Sequence, residues 1–282
     1  MKEDKTVAVV HLIWIPFGIE LFKNFVQSYK KYSPGYSHDL IILFNGVTQK
    51  DETSDFHTFL KDQQIEYHSY YLKDGLDIKA YHWIALQLTH TYILFLNSYV
   101  QLLAPDWLRY FIEAMQQEGT GIAGATGSWQ SHYTSVFTNN RFKWDTEKTF
   151  NENYRKYKLF IKAVVYWFFL FKPFPNPHVR TSSFMMKREL FIRFSKREVK
   201  NKFGAYLFES GRRGLSNQLL KKGFKMLVID KYGKTYEIKD WPLSSTFRIN
   251  DQKNLLISDN RTRQFEESTV KEQQKLTYLA WG

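Results

Sequence analysis

The sequence predicts an α/β protein built on a doubly wound, mostly parallel sheet. Three observations predict it. Apolar runs recur at Val7–Ile13, Leu40–Phe44 and Tyr92–Leu96. Each run is followed by residues at helical spacing, the order of successive β–α units. The chain has 282 residues, 43% hydrophobic and 24% charged, which suits a closed core and excludes disorder.

The elements follow in order. Val7 to Ile13 is an unbroken apolar run, as a strand buried on both faces should be. His11 lies inside it and is expected to be a core histidine. Pro16 and Gly18 end the strand, and Ile19, Phe22, Phe25, Val26 and Tyr29 then repeat at helical spacing up to Ser33-Pro34-Gly35. Leu40–Phe44 is a second strand, stopped by Asn45-Gly46. Asp55 to Gln64 fits a short helix, Tyr67 to Tyr71 a third strand, and Ala80 to Leu88 a helix. Tyr92–Leu96 is a fourth strand, ending at Asn97-Ser98. Pro105 to Gln117 reads as a helix with Pro105 in its first turn. In such sheets ligands sit beyond the carboxyl ends of the strands. The positions of interest are therefore Trp14, Asn45, the Asp74–Asp77 loop and Asn97.

Composition narrows the chemistry. There is no cysteine, which excludes a disulfide scaffold, a thiolate metal site and a cysteine nucleophile. Aromatic residues make up 18% and the net charge is +12. That balance fits nucleic acid, an anionic membrane surface or an anionic ligand. The charge is uneven, because residues 141–230 carry 21 Lys/Arg against 7 Asp/Glu. The same stretch holds the most apolar run, Phe160 to Phe171. It is too short to span a bilayer and reads as a buried helix or an interfacial segment. Met1–Lys5 is charged and unlike a signal peptide, so a cytoplasmic protein is expected.

Several motifs are excluded. Gly119-Thr120-Gly121-Ile122-Ala123-Gly124 matches G-x-G-x-x-G but follows a helix, whereas a dinucleotide fingerprint follows a strand and opens a helix. No P-loop, H-E-x-x-H or G-x-S-x-G occurs.

The second half carries two blocks of interest. Phe174-Pro175-Asn176-Pro177-His178-Val179-Arg180-Thr181 is extended, since residues before proline avoid the α region. It is either a crossover into the core strand at Phe184-Met185-Met186 or a place where His178 and Arg180 meet a substrate. Phe208-Glu209-Ser210-Gly211 precedes a helix bearing Leu215, Leu219 and Leu220, ended by Gly223. Glu209 is therefore expected near a helix N-terminus, as a general base or a capping acid. Leu227–Ile229 is a further strand.

This order of elements resembles the nucleotide-sugar glycosyltransferases of the GT-A fold, and is similar to family 2. Four features carry the resemblance: the opening units ending at Asn45-Gly46; Asp77 followed by Ala80, Tyr81 and Ala85; Leu94-Phe95-Leu96-Asn97-Ser98-Tyr99 with Asp106-Trp107-Leu108; and Phe208-Glu209-Ser210 through Lys222-Gly223-Phe224. A bacterial surface-polysaccharide subgroup looks closest through Asn97-Ser98, Pro177 to Thr181 and Asp259-Asn260-Arg261-Thr262. The resemblance spans roughly residues 6–263 of the sequence.

It implies one continuous domain, with a nucleotide-sugar half over residues 1–130 and an acceptor half over 131–282. It also implies sugar transfer to a saccharide or lipid-linked saccharide acceptor, inverting, with Glu209 as base. Trp14, Asn45, Asp77, Asn97, Ser98, Arg180 and Arg261 would contact the donor. His178, Arg212 and Trp129 would contact the acceptor. The family usually binds Mn or Mg through Asp-x-Asp, but here the positions read Asn97-Ser98-Tyr99. An amide oxygen is a weak neutral ligand for a hard cation. Two routes stay open. Asn97 and Asp259 hold the ion, or Arg180, Arg212, Arg213, Arg261 and Arg263 neutralise the diphosphate instead. A catalytically inactive relative acting as an assembly subunit is the alternative. Nucleic acid is not an expected partner; an anionic membrane surface is, with the protein peripheral on its inner face.

Overall fold

A computed structural model describes residues 6–138, 146–147, 149–196 and 199–282. Met1–Lys5 and part of the basic stretch, residues 139–145, lie outside the described residues.

The strands are β1 (Val7–Trp14), β2 (Asp39–Asn45), β3 (His68–Leu72), β4 (Tyr92–Leu96), β5 (Gln101–Leu102), β6 (Thr120–Gly124), β7 (Gly127–Ser128), β8 (His178–Val179), β9 (Ser183–Lys187), β10 (Lys225–Ile229), β11 (Thr235–Tyr236) and β12 (Ile257–Ser258). The helices are α1 (Glu20–Lys31), α2 (Ser54–Asp62), α3 (Asp77–Gln87), α4 (Trp107–Gln116), α5 (His132–Thr138), α6 (Phe150–Leu170), α7 (Arg188–Phe194), α8 (Lys202–Ser210), α9 (Leu215–Lys221), α10 (Asn260–Glu266) and α11 (Val270–Trp281).

The main sheet has the order β11-β10-β6-β9-β4-β1-β2-β3. Strands β3, β2, β1 and β4 are parallel neighbours. β9 runs antiparallel between β4 and β6, and β10 is parallel to β6. The sheet is thus mostly parallel, and apolar residues cover both faces. On one face Val9, Ile42 and Leu94 meet Phe22 and Phe25 of α1, Phe56 of α2, and Trp107 and Phe111 of α4. On the other, Val10, Ile41 and Phe95 meet Tyr81 of α3, Phe191 of α7, Phe208 of α8 and Leu215 of α9. This two-sided burial is why the strands read as unbroken apolar runs.

Position β9 decides the geometry of the site. Its first residue, Ser183, pairs with Leu96, the last residue of β4. Because β9 is antiparallel, the chain that enters it arrives at the carboxyl edge of β1, β2 and β4. β12 pairs with β5 and brings Asp259 to the same edge.

Three expectations need correction. Pro105 does not sit in the first turn of a helix. α4 starts at Trp107, and Asp106 before it adopts a left-handed φ of 57° while its N–H donates to Ser33 O. Glu209 does not stand at a helix N-terminus but in the last turn of α8. Asn201 caps the start of α8 by accepting from Gly204 N, and Gly211 to Gly214 separate it from α9. Of the two readings of Phe160 to Phe171 the buried helix fails, because α6 has only Asn153 as a buried residue, although Phe171 just after it is fully buried. The glycine motif at 119–124 forms β6. A Cβ on Gly121 would lie 2.7 Å from Phe224 Cβ, so close packing accounts for that glycine.

His11 is buried in β1 and stacks on Phe25, with ring centroids 3.8 Å apart and an interplanar angle of 4°. Neither ring nitrogen has a hydrogen-bond partner, so the ring is a stacked core group rather than a satisfied one. Burial pushes its pKa from 6.5 to about 3. The neutral ring contributes its full stability above pH 6.5, and that contribution is lost as pH falls toward 3. At pH 5 the loss from this one group should be about 2 kcal/mol. Urea unfolding of His11→Leu, close in volume, should show that much less destabilisation between pH 7.5 and 5 than the parent chain. An equal pH dependence in both would contradict it.

Candidate active site

Three consecutive residues organise the carboxyl edge of the sheet. Arg180 Nη1 is 2.7 Å from Asp259 Oδ2. Thr181 donates to Glu209 Oε2 twice, from its N–H at 2.8 Å and from Oγ1 at 2.6 Å. Ser182 O accepts from Asn97 N at 2.9 Å. A single extended segment thereby holds together α8, α10 and the end of β4. The sequence proposes Arg180, Asp259, Glu209 and Asn97 from separate blocks, and this segment brings them to one edge.

Beyond β1 and β2 the edge is tied by backbone contacts. Ser98 Oγ accepts from Trp14 N at 3.0 Å and donates to Leu12 O at 2.9 Å. Ser98 is buried and so serves to join β4 to β1. Asn45 Nδ2 donates to Gly75 O at 2.7 Å, which fixes the loop leading to Asp77, while its buried Oδ1 has no partner. Gly46 has φ +84°, and a Cβ there would lie 2.9 Å from the Trp14 ring. Only glycine suits that turn.

Asp77 opens α3 with its side chain accessible to water, yet desolvation by the surrounding protein holds its pKa above the ordinary carboxylate value. The Tyr99 hydroxyl feels the same setting. Desolvation and then Asp77 push its pKa up, and Arg261 pulls it down. Asp77 of α3 and Arg261 of α10 therefore both lie near the Tyr99 hydroxyl in the loop after β4.

A cationic cluster lines the other wall. Arg180 packs over the Phe247 ring at 4.3 Å and Arg248 over the same ring at 4.9 Å. Arg248 is buried, with Nε unpartnered and Nη1 donating to Gln130 Oε1 at 3.4 Å. Burial, Arg180 and Arg261 together push its pKa down to about 9. Against these three cations stands Asp259. Burial alone would raise the Asp259 pKa, but Arg180 and neighbouring donors hold it below the ordinary value. Arg180 is thus paired with Asp259 and Arg261 is exposed, while the buried Arg248 has no carboxylate partner among the described residues, a setting that favours an anion.

Glu209 and His178 face each other. His178 Nδ1 lies 2.9 Å from Asn176 O, so the proton sits on Nδ1. Burial holds its pKa below the ordinary value despite Glu209, and the ring is neutral near pH 7. Nε2 then presents a lone pair to Glu209 Oε1 at 3.7 Å, and the two do not form an ion pair. Oε2 is bound by Thr181, whereas Oε1 makes no hydrogen bond among the described residues. With its side chain 23% exposed, Oε1 can reach a substrate proton.

The remaining expected residues make contacts of their own. Trp129 Nε1 donates to Ile238 O at 3.1 Å and its ring packs edge-on against Trp281. Arg212 Nε donates to Phe168 O at 2.8 Å, at the end of α6. Arg213 is exposed, and Arg263 donates to Tyr99 O at 2.8 Å, supporting that loop. Arg248 and Tyr99 are the site residues that sequence reasoning misses. Arg248 lies in an irregular stretch with φ +51°, and no periodicity marks it.

The donor set does not fit a divalent cation. Asn97 Oδ1 accepts from Tyr99 N at 3.0 Å. Both Asp259 oxygens are taken, Oδ2 by Arg180 and Oδ1 by the N–H groups of Arg261 and Thr262 at 2.8 and 3.0 Å. Among the described residues no group of three or more His, Cys, Asp or Glu is placed to hold a metal. The expected ligand pair Asn97 and Asp259 is thus committed to the fold. A cavity of about 870 Å³ lies at the opposite edge of the sheet, lined by Tyr92, Thr120, Lys187 and Arg193, away from these groups.

No protein-family model matches the chain, and no curated protein does. Its fold is similar to solved glycosyltransferase structures. One is the mannosyltransferase PcManGT from Pyrobaculum calidifontis in complex with GDP-Man and Mn2+, at 9% identity and TM-score 0.47, covering 79% of this chain and 54% of that one. Another is GalNAc-T7 with UDP, GalNAc and Mn2+, at 12% and 0.44, covering 67% and 36%. A third is glucosyl-3-phosphoglycerate synthase from Mycobacterium tuberculosis with Mn2+, UDP and phosphoglyceric acid, at 11% and 0.36, covering 66% and 57%. The chain spans between about a third and three fifths of the length of these structures.

Crowding of Arg180, Arg248 and Arg261 costs stability when no anion is bound. Arg248→Met should therefore raise the unfolding free energy read from urea denaturation, by on the order of 1–3 kcal/mol, as replacing an uncompensated buried charge with an apolar group of similar size does. The same variant should bind inorganic pyrophosphate more weakly by calorimetry. A lowered midpoint with unchanged pyrophosphate binding would contradict the reading.

Proposed function

We propose that this chain is a glycosyltransferase that moves a sugar from a nucleotide-sugar donor to a saccharide or lipid-linked saccharide acceptor, with inversion. The observation that carries the reading is the Arg180–Thr181–Ser182 segment, which sets a carboxylate with one free oxygen beside an anion-seeking arginine cluster. Trp14, Asn45 and Asp77 line the side where the base and ribose would lie, and Asn97 and Ser98 shape the floor beneath the sugar phosphate. In this account residues 1–130 supply the donor half and 131–282 the acceptor half.

The steps follow from the chemistry. Glu209 Oε1 takes the proton of the acceptor hydroxyl as that oxygen bonds to the anomeric carbon. The bond from that carbon to the diphosphate oxygen breaks on the opposite face, which inverts the configuration. The electron pair leaves with the nucleoside diphosphate, whose charge Arg180, Arg248 and Arg261 receive. Bidentate guanidinium–phosphate pairing suits them to that role. Thr181 holds Glu209 by its other oxygen, so the base is oriented without being consumed. His178, neutral, borders the acceptor side. No step runs through a metal, because the candidate ligands are already bonded.

The site and its acceptor are proposed to work in the cytoplasm at the inner face of the membrane, in surface-polysaccharide synthesis. Among the described residues no helix is long and apolar enough to cross a membrane.

Transfer or donor hydrolysis, measured with a panel of UDP-, GDP- and dTDP-sugars, tests the reading. Glu209→Gln should keep donor binding and cut turnover by roughly 10²–10⁴-fold. Turnover of the parent chain should survive EDTA. Binding and reaction of no donor would favour an assembly subunit, an unchanged rate in Glu209→Gln would remove the base, and abolition by EDTA would restore a metal.

A further inference from the structure

We propose that α6 is a docking helix that lies flat on an anionic lipid surface. The inference deepens the membrane-face part of the function proposed above, but it needs none of the transfer chemistry.

A helix this apolar ordinarily packs into a core. α6 instead leaves most of its residues exposed: Phe150 and Phe169 are each 69% exposed, and Asn153 is its one fully buried residue. Its start is fixed by a capping box between Thr149 and Glu152. Phe150, Tyr154, Tyr157, Ile161, Val165 and Phe168 follow at steps of four, three, four, four and three, so they form one stripe, and all six are exposed. The protein-facing side carries Phe160, Val164 and Trp167, each partly buried. The stripe is therefore a second apolar face, turned outward. Large exposed apolar patches of this kind mark contact surfaces.

Charge selects the occupant. α6 contains Arg155, Lys156, Lys158 and Lys162 against Glu152 alone. Lys158 lies over the Tyr154 ring at 4.7 Å, with its stem along the stripe and its ammonium at the rim. A second copy would set one cationic rim against another. Nucleic acid would meet an apolar stripe instead of stacking platforms between cations. An anionic bilayer takes both the apolar stripe and the cationic rim. At 21 residues the helix is about 31 Å long. It does not qualify as a span, so it would lie in the interface.

The helix is also wired to the site. Arg212 donates from its N–H to Leu170 O at 2.8 Å and from Nε to Phe168 O at 2.8 Å, and Phe171 bridges Gly211. Glu209 lies two residues before Gly211. A surface docked on α6 would thus sit beside the base, where a lipid-linked acceptor would arrive.

Cosedimentation of the full chain with vesicles tests this. Phosphatidylcholine vesicles containing phosphatidylglycerol should carry the protein down, pure phosphatidylcholine should do so less, and added salt should weaken binding. The triple variant Ile161→Ser, Val165→Ser, Phe169→Ser should bind the anionic vesicles roughly tenfold more weakly or worse. It should keep its circular-dichroism melt and its donor turnover in solution. Lys158→Glu with Lys162→Glu should erase the preference for anionic vesicles. No binding by the parent chain, or equal binding by the triple variant, would overturn the proposal. So would a parent dimer in sedimentation velocity that the triple variant loses, which would make a second copy the occupant. Vesicle binding without any donor turnover would instead sink the transferase reading and leave the docking helix standing.

Discussion

The antiparallel insertion of β9 is the constraint on which the site depends. A strand that ran parallel there would deliver its entry loop to the opposite edge of the sheet. Because β9 pairs with β4 in the reverse sense, residues 180–182 arrive beside Asn97 at the carboxyl edge. One salt bridge, two donations to a single carboxylate oxygen and one backbone hydrogen bond then lock α10, α8 and β4 to each other. Loss of any of these would move a functional group and not merely weaken the fold.

The electrostatics of the edge carry a tension. Asp259 compensates for Arg180, yet Arg248 and Arg261 add further positive charge, and Arg248 is buried. Proteins rarely keep an uncompensated buried cation without a use for it. A strongly anionic ligand relieves the crowding and is held by it. On the other side of the segment, the neutral His178 faces Glu209, whose Oε1 stays open while Thr181 holds Oε2. The cationic wall and the carboxylate thus stand on either side of a segment three residues long.

Much of this is legible in the sequence, and the exceptions have physical reasons. β1, β2 and β4 are readable because two-sided burial leaves unbroken apolar runs, and the end positions Trp14, Asn45 and Asn97 follow from that. Arg180, Glu209 and Asp259 are nameable as candidates, but their partnership is not, since it depends on the hand of β9. Glu209 is displaced from a helix start to a helix end because Asn201, a capping residue eight positions earlier, sets where α8 begins. Arg248 and Tyr99 lie in segments without periodicity. α6 misleads for a different reason: apolar helical spacing records a face that avoids water, and a core and a lipid surface satisfy it alike.

The central claim is that a nucleoside diphosphate sits between the arginine cluster and Glu209. A crystal structure of the chain with a bound nucleoside diphosphate tests it most directly. The account predicts the diphosphate within hydrogen-bond distance of Arg180, Arg248 or Arg261, with no metal bridging it to Asp259, and with open space between it and Glu209 Oε1. A nucleotide bound at the opposite edge of the sheet, in the cavity beside Lys187 and Arg193, would contradict it.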